Sequence, residues 1–247
     1  MGKLAVIIAF SLYILKLAAE GDLTVYIHPR YVAFTVTMAL VSLAISLSIL
    51  IMNRRKHFAL RLTRPSILTA LCLVVLVLAF VLPPRPLMSS AVEQKSNNAR
   101  VGGLSSGKLV TSSSAGTCRE EAAGIELPLT TIDGWLTAFY ACDVDGGFNG
   151  HRITLEGFVY DPRGQLVSDN IFQLSRFFVS CCAVDASPIG LYVDEPNWRD
   201  EHPADSWVRV EGALEMRQFG ADKKMYVIKD AHITPIPEPD DPYEYMR

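Results

Sequence analysis

The chain has 247 residues, half of them apolar, and a formal net charge of −3. So large an apolar share exceeds that of an ordinary soluble domain and places part of the chain in a membrane. The weak negative charge, with no Lys/Arg cluster in the distal part, excludes nucleic acid as a partner, because phosphate binding needs a basic face.

In chain order, the first apolar segment, 4–20, is interrupted early only by Ser11, Tyr13 and Lys16, and follows Lys3. A signal peptide shares this pattern, but Leu17-Ala18-Ala19 is a poor cleavage site. A helix this short spans a bilayer if Lys16 extends its charged end to the interface. A polar connection holding Tyr26, His28, Pro29 and Arg30 leads into a second, uncharged span at 31–52. A third span, 66–82, is rich in Leu and Val; Pro65 precedes it and Pro83-Pro84 ends it.

Between the second and third spans, 53–64 is the densest basic loop, with Arg54, Arg55, Lys56, Arg61 and Arg64. Cytoplasmic loops carry such an excess. The expected arrangement is a multi-pass protein of the cell membrane whose transmembrane region, 1–84, leaves everything distal on the extracytoplasmic side. Residues 85–124 contain Ser, Gly and Asn but no aromatic residue, so they read as a flexible tether.

The distal domain, 125–247, opens with a helix. Thr130 and Thr131 supply a cap, and Trp135, Leu136, Phe139 and Tyr140 recur at helical spacing. Strand patterns follow at 152–160, 207–215, 224–229 and 231–236. Gly157 and Gly212 interrupt their strands at the same relative place, as bends in a curled sheet do. About five such strands suit a small Greek-key barrel of the oligonucleotide/oligosaccharide-binding (OB) shape, with a small open sandwich as the alternative.

The stretch 172–194 is the most apolar run outside the membrane segments. Its β-branched and aromatic residues predict one long strand, bent or bulged midway, with a turn at Ser187-Pro188-Ile189-Gly190. Adjacent thiols, Cys181 and Cys182, lie at its centre, with Asp185 close behind. Thiolates are soft ligands that select zinc or another soft metal ion. Consecutive strand residues face opposite ways, so a shared ion requires a bulge, with Asp185, Cys142 or His151 completing the site. Two other readings stay open: a disulfide joining Cys142 to one of the pair, and two small buried unreactive thiols.

Elsewhere, Tyr26, His28, Pro29 and Arg30 read as a membrane or partner interface. Asp194-Glu195 and Asp240-Asp241 are acidic loops, and Arg176 is structural, pairing with Glu156 or Glu211. The tail, 237–245, suits an extended segment along the domain edge or a docking peptide. There is no His-Glu-x-x-His, glycine-rich phosphate loop, nucleophile elbow or Cys-x-x-Cys, which predicts a protein that is not an enzyme.

Four motifs carry a resemblance: Tyr26-Ile27-His28-Pro29-Arg30, Glu156-Gly157-Phe158-Val159-Tyr160, the core from Ser175 through Cys181-Cys182 to Ala186, and the tail 237–245. Together they resemble the YcgQ-like permease-subunit family. The resemblance implies a membrane-anchored partner of a separate multi-span permease related to organoarsenical exporters, and it leaves the substrate open. This chain departs from that pattern in having a distinct third span. The expectation is therefore an accessory permease subunit that presents or gates a soft metal or metalloid ion through Cys181 and Cys182. The alternative is an extracytoplasmic module that binds a lipid, a glycan or an envelope protein, with structural cysteines.

Overall fold

The structure, a computed structural model, describes residues 2–55, 67–95, 100–101, 130–142, 147–162, 168–219 and 223–245. The chain forms two compact units: residues 1–86 together with 181–183, and residues 87–180 together with 184–247.

The first unit contains helices α1 (Gly2–Glu20), α2 (Pro29–Arg55) and α3 (Ile67–Val81), with a 3-10 turn at Asp22–Val25 between the first two. Pro29 opens α2, where a missing N–H costs nothing. Two helices, Gly2–Glu20 and Pro29–Met52, are long and apolar enough to cross a membrane, a pattern that an anchor and a signal sequence share. The 15 residues of α3 extend about 22 Å, short of a hydrocarbon core of about 30 Å.

Side-chain placement in this unit is inside out. Phe10, Phe34, Ile45 and Val77 point outward, whereas Ser11, Ala39, Ser46 and Thr69 are buried. Small and hydroxyl residues at these buried positions let the helix backbones approach closely. Helix α1 packs against both α2 and α3, and Tyr13 meets Phe80 edge-on at 5.2 Å. Of the basic run 53–64, the backbone as far as Arg55 continues α2 and the rest lies outside the described residues.

The second unit contains α4 (Ser89–Lys95), β1 (Arg100–Val101), α5 (Ile132–Cys142), β2 (Arg152–Tyr160), β3 (Ile171–Val179), β4 (Ser187–Asp194), α6 (Trp198–Glu201), β5 (Trp207–Phe219), β6 (Lys223–Pro235) and β7 (Tyr243–Tyr245). All seven strands belong to one sheet. Strands β2, β3 and β4 form an antiparallel meander, β4 pairs with β6 in parallel, β6 with β5 and β5 with β2 antiparallel. Each of the five long strands thus has two long-strand neighbours, and the ladder returns to its start.

Its main core collects inward residues of these strands, including Leu155, Phe172, Leu191, Val210 and Ile228, beneath one face of α5. The predicted cap holds, since Thr131 Oγ1 accepts from Gly134 N at 3.2 Å. Trp135 and Phe139 pack on Phe148, and Phe139 stacks on Tyr226 at 4.3 Å. Two glycines are needed where strands approach closely. A Cβ on Gly157 would lie 2.7 Å from the Ser175 carbonyl oxygen, and one on Gly212 would lie 2.8 Å from that of Lys229.

Three expectations are corrected. The stretch 172–194 is not one bent strand but the hairpin β3–β4, and its reversal lies at 180–186, before Ser187-Pro188-Ile189-Gly190, which belongs to β4. The tether does not hold for its early part. Residues Ser89–Lys95 form α4 because Val92 finds apolar partners in the sheet domain, and Arg100–Val101 pair with Ile189 and Gly190. The remainder of the tether region, 96–99 and 102–124, lies outside the described residues. Strands expected at 224–229 and 231–236 are continuous as β6, and the gap at Asp230 is a bulge at φ 48° where the register shifts between Glu211 and Ala213.

Candidate metal centre

The hairpin places the thiols at its tip. Register pairing ends at Phe178 with Ser187, and the chain reverses through 180–186 without a pleat to turn neighbouring side chains apart. Cys181 Sγ and Cys182 Sγ are 3.5 Å apart, both as thiols. The two sulfurs and a carboxylate oxygen of Asp185 lie within 4.8 Å of one another, Cys181 and Asp185 exposed and Cys182 half-buried. The obstacle that a strand would have raised therefore does not exist in this turn. Two soft sulfurs and one carboxylate oxygen are a donor set that suits zinc and similar ions.

Backbone bonds hold the tip. Ile27 and Cys182 form an antiparallel bridge in which His28 N donates to Cys181 O at 3.0 Å and Ala183 N donates to Tyr26 O at 2.9 Å. These bonds set residues 181–183 within the first unit. On the other side of the turn, Lys95 Nζ donates to Val184 O at 2.8 Å.

The structure brings only some of the expected residues together. The Tyr26–His28 segment meets the thiol turn through its backbone, and its side chains serve other ends. His28 is buried, its Nδ1 accepts from Arg30 N at 3.0 Å, and its ring lies against Tyr31. Burial, with a hydrogen bond to Tyr13, pushes the Tyr26 hydroxyl up to about 12, so it stays protonated. The Arg30 guanidinium lies 5.9 Å from the Tyr31 ring centroid. His151 is exposed against Phe148 and does not join the cluster. The side chains of Cys142 and Cys118 lie outside those described.

Arg176 does not form the expected ion pair. Its Nη2 donates to the Asp241 carbonyl at 2.6 Å and its guanidinium lies over Trp207, while Glu156 pairs with Arg209 at 2.6 Å. The tail positions Asp241, and that segment is indeed the extended edge: β7 pairs in parallel with β3 at Phe177–Val179. Sequence reasoning missed Glu244, whose carboxylate is buried and accepts from Ile132 N at 2.8 Å and Asp133 N at 2.7 Å, capping α5. Its only sequence signal is an acid alternating with aromatic residues in Tyr243-Glu244-Tyr245. Asp194 is engaged by Arg217 at 2.5 Å, and Arg217 also bonds Glu215 at 2.7 Å, so this acidic loop is neutralised in part by its own domain.

Membrane-length helices, a one-sheet domain and an exposed dithiol–carboxylate turn define the class: an apolar-helix protein carrying a β domain with a soft-ligand cluster. Residues 3–98 match the DUF1980 N-terminal domain and residues 134–246 the DUF1980 C-terminal domain. The chain therefore carries both domains of this uncharacterised family and belongs to it. No curated protein and no solved structure matches the chain.

Proposed function

We propose that this chain is an accessory subunit of a multi-span membrane permease and that it presents or gates a soft metal or metalloid ion through Cys181, Cys182 and Asp185. The observation that supports it best is the convergence of two thiols and a carboxylate within 4.8 Å on a chain with membrane-length helices. In this reading α3 is a third span, lengthened by residues on either side. The strand circuit is an OB-like Greek-key barrel, and its side of the membrane is extracytoplasmic, opposite the basic run 53–64.

A double variant, Cys181→Ser/Cys182→Ser, tests the role: loss of ion binding and of partner-dependent transport is expected. Normal binding and transport in a folded double variant sinks it. For sidedness, a reporter fused after Arg247 is expected to be active only outside the cytoplasm, and cytoplasmic activity reverses the topology.

One observation favours a second reading, a binding module with structural cysteines. A groove of about 510 Å³ runs between β4, β5 and β6, lined by Asn170, Asp194, Glu195, Glu215, Arg217 and Lys229. Its alternating charges suit a polar ligand bearing both signs, such as a lipid headgroup. Ligand protection of the groove that survives the double cysteine change supports that reading over the first.

A further inference from the structure

The dithiol turn differs from a storage or structural site in how much of the coordination sphere it supplies. Structural zinc sites are closed by four protein ligands, whereas sites that exchange ligands keep a position open. Among the described residues the turn offers three donor atoms, and no other His, Cys, Asp or Glu converges with them. Two of the three donors, Cys181 and Asp185, are exposed, so solvent and a small ligand can reach the cluster.

The sulfur separation narrows the geometry further. With metal–sulfur bonds of about 2.3 Å, sulfurs 3.5 Å apart subtend about 100° at the ion, near the tetrahedral angle. A linear two-coordinate ion would hold its sulfurs about 4.6 Å apart at the same bond length. The separation as it stands matches a bent, three- or four-coordinate ion without side-chain rearrangement, whereas a linear one requires the sulfurs to move apart. The backbone bonds of Cys181 and Ala183 to His28 and Tyr26 fix the main chain from which the two thiols project.

Resting on the ion-presenting reading above, we infer that this turn is a transfer site: it binds a divalent soft ion through two thiolates and one carboxylate and hands it on through an open fourth position. Loading a divalent ion converts two thiols to thiolates and releases two protons, leaving the bound centre with a single negative charge. Hand-off begins when a thiolate or imidazole of the acceptor bonds the ion at the open position. One cysteine–metal bond then breaks, and that sulfur recovers a proton. No electron moves, so the step needs no oxidant or reductant.

The test uses the full-length chain, reduced and in detergent micelles, titrated anaerobically with cobalt(II) as an optical stand-in for zinc. The expected result is one ion per chain with sulfur-to-cobalt charge-transfer absorption and release of two protons per ion. Added imidazole is then expected to shift the visible cobalt bands while the ion stays bound. Asp185→Asn should weaken cobalt binding by at least about tenfold. Because Asp185 is exposed, that variant keeps its fold, which circular dichroism checks on the same sample.

A cobalt spectrum that imidazole leaves unchanged shows a closed site and overturns the transfer inference, while the ion-presenting role survives. Absence of cobalt and zinc binding removes both. Binding that Asp185→Asn leaves intact, with four sulfur ligands in the spectrum, also overturns the open-site geometry.

Discussion

Strand β3 is bordered by two short segments that treat their carboxylates in opposite ways. Along its last residues runs β7, which buries Glu244 and commits both carboxylate oxygens to the first amides of α5. Beyond its end lies the thiol turn, where Asp185 is exposed beside two sulfurs and backbone bonds together with the Lys95 ammonium hold the loop. The same carboxylate chemistry thus serves stability where its partners are fixed amides, and under the proposed function it serves ion binding where its neighbours are thiols. The contrast teaches that surroundings decide a carboxylate's part: Glu244 is buried as a helix cap, whereas Asp185 stays at the surface beside two thiols.

The largest expected effect falls on the committed side. Trp135→Ala removes a fully buried ring from the α5 face and should cost about 3–5 kcal/mol in chemical denaturation, without changing cobalt affinity. Gly157→Ala drives a methyl against the Ser175 carbonyl oxygen, and a loss of about 1–3 kcal/mol is expected. A neutral outcome there would mean that the β2–β3 fork can open.

Glu244→Ala exposes two uncapped amides at a buried helix end and should cost about 1–3 kcal/mol. Its pH signature carries more information than its size. Burial raises the Glu244 carboxyl above the ordinary glutamate range, although its two amide bonds oppose the shift. A raised folded value means that this group's stabilising contribution is fully present below the unfolded glutamate value and is lost as pH rises through the folded one. Glu244→Gln should therefore flatten that limb of a stability-versus-pH curve, and an unchanged slope would assign it to another group.

The smallest effect on stability is expected at the turn. Cys181→Ser/Cys182→Ser should alter the unfolding free energy by no more than about 0.5 kcal/mol while abolishing cobalt binding. A large destabilisation would place the sulfurs among the committed groups and erase the contrast between the two segments.

Much of the second unit was legible in advance. The bounds 152–160 match β2, although burial alternates only in its first part and its last four residues are all buried, and Thr131 caps α5 as its position before an apolar helical pattern implies. The hairpin was not legible because its reversal, Ser180-Cys181-Cys182-Ala183-Val184-Asp185, carries no Gly, Pro or Asn to punctuate it. The stronger turn signal, Pro188 and Gly190, lies within β4. Early in β4, Pro188 is opposite Phe177 and precedes the β1 contacts that begin at Ile189, so proline's missing N–H is tolerated there. Helix α4 was hidden for another reason: one buried residue, Val92, is too little periodicity to read from sequence. The cysteine pair was visible as candidate ligands, but their convergence depended on the unmarked turn.

The parallel pairing of β4 with β6 has a consequence for biosynthesis. The ladder closes only when Tyr192 and Val193 meet Val227 and Ile228, so the circuit waits for chain made well after the thiols. At roughly 5–20 residues per second, the 53 positions from Cys182 to Pro235 take about 3–11 s to translate. During that interval the nascent dithiol is unsheltered by a finished domain. Should the turn bind an ion as proposed, the compartment in which the chain emerges would set which ion it meets first.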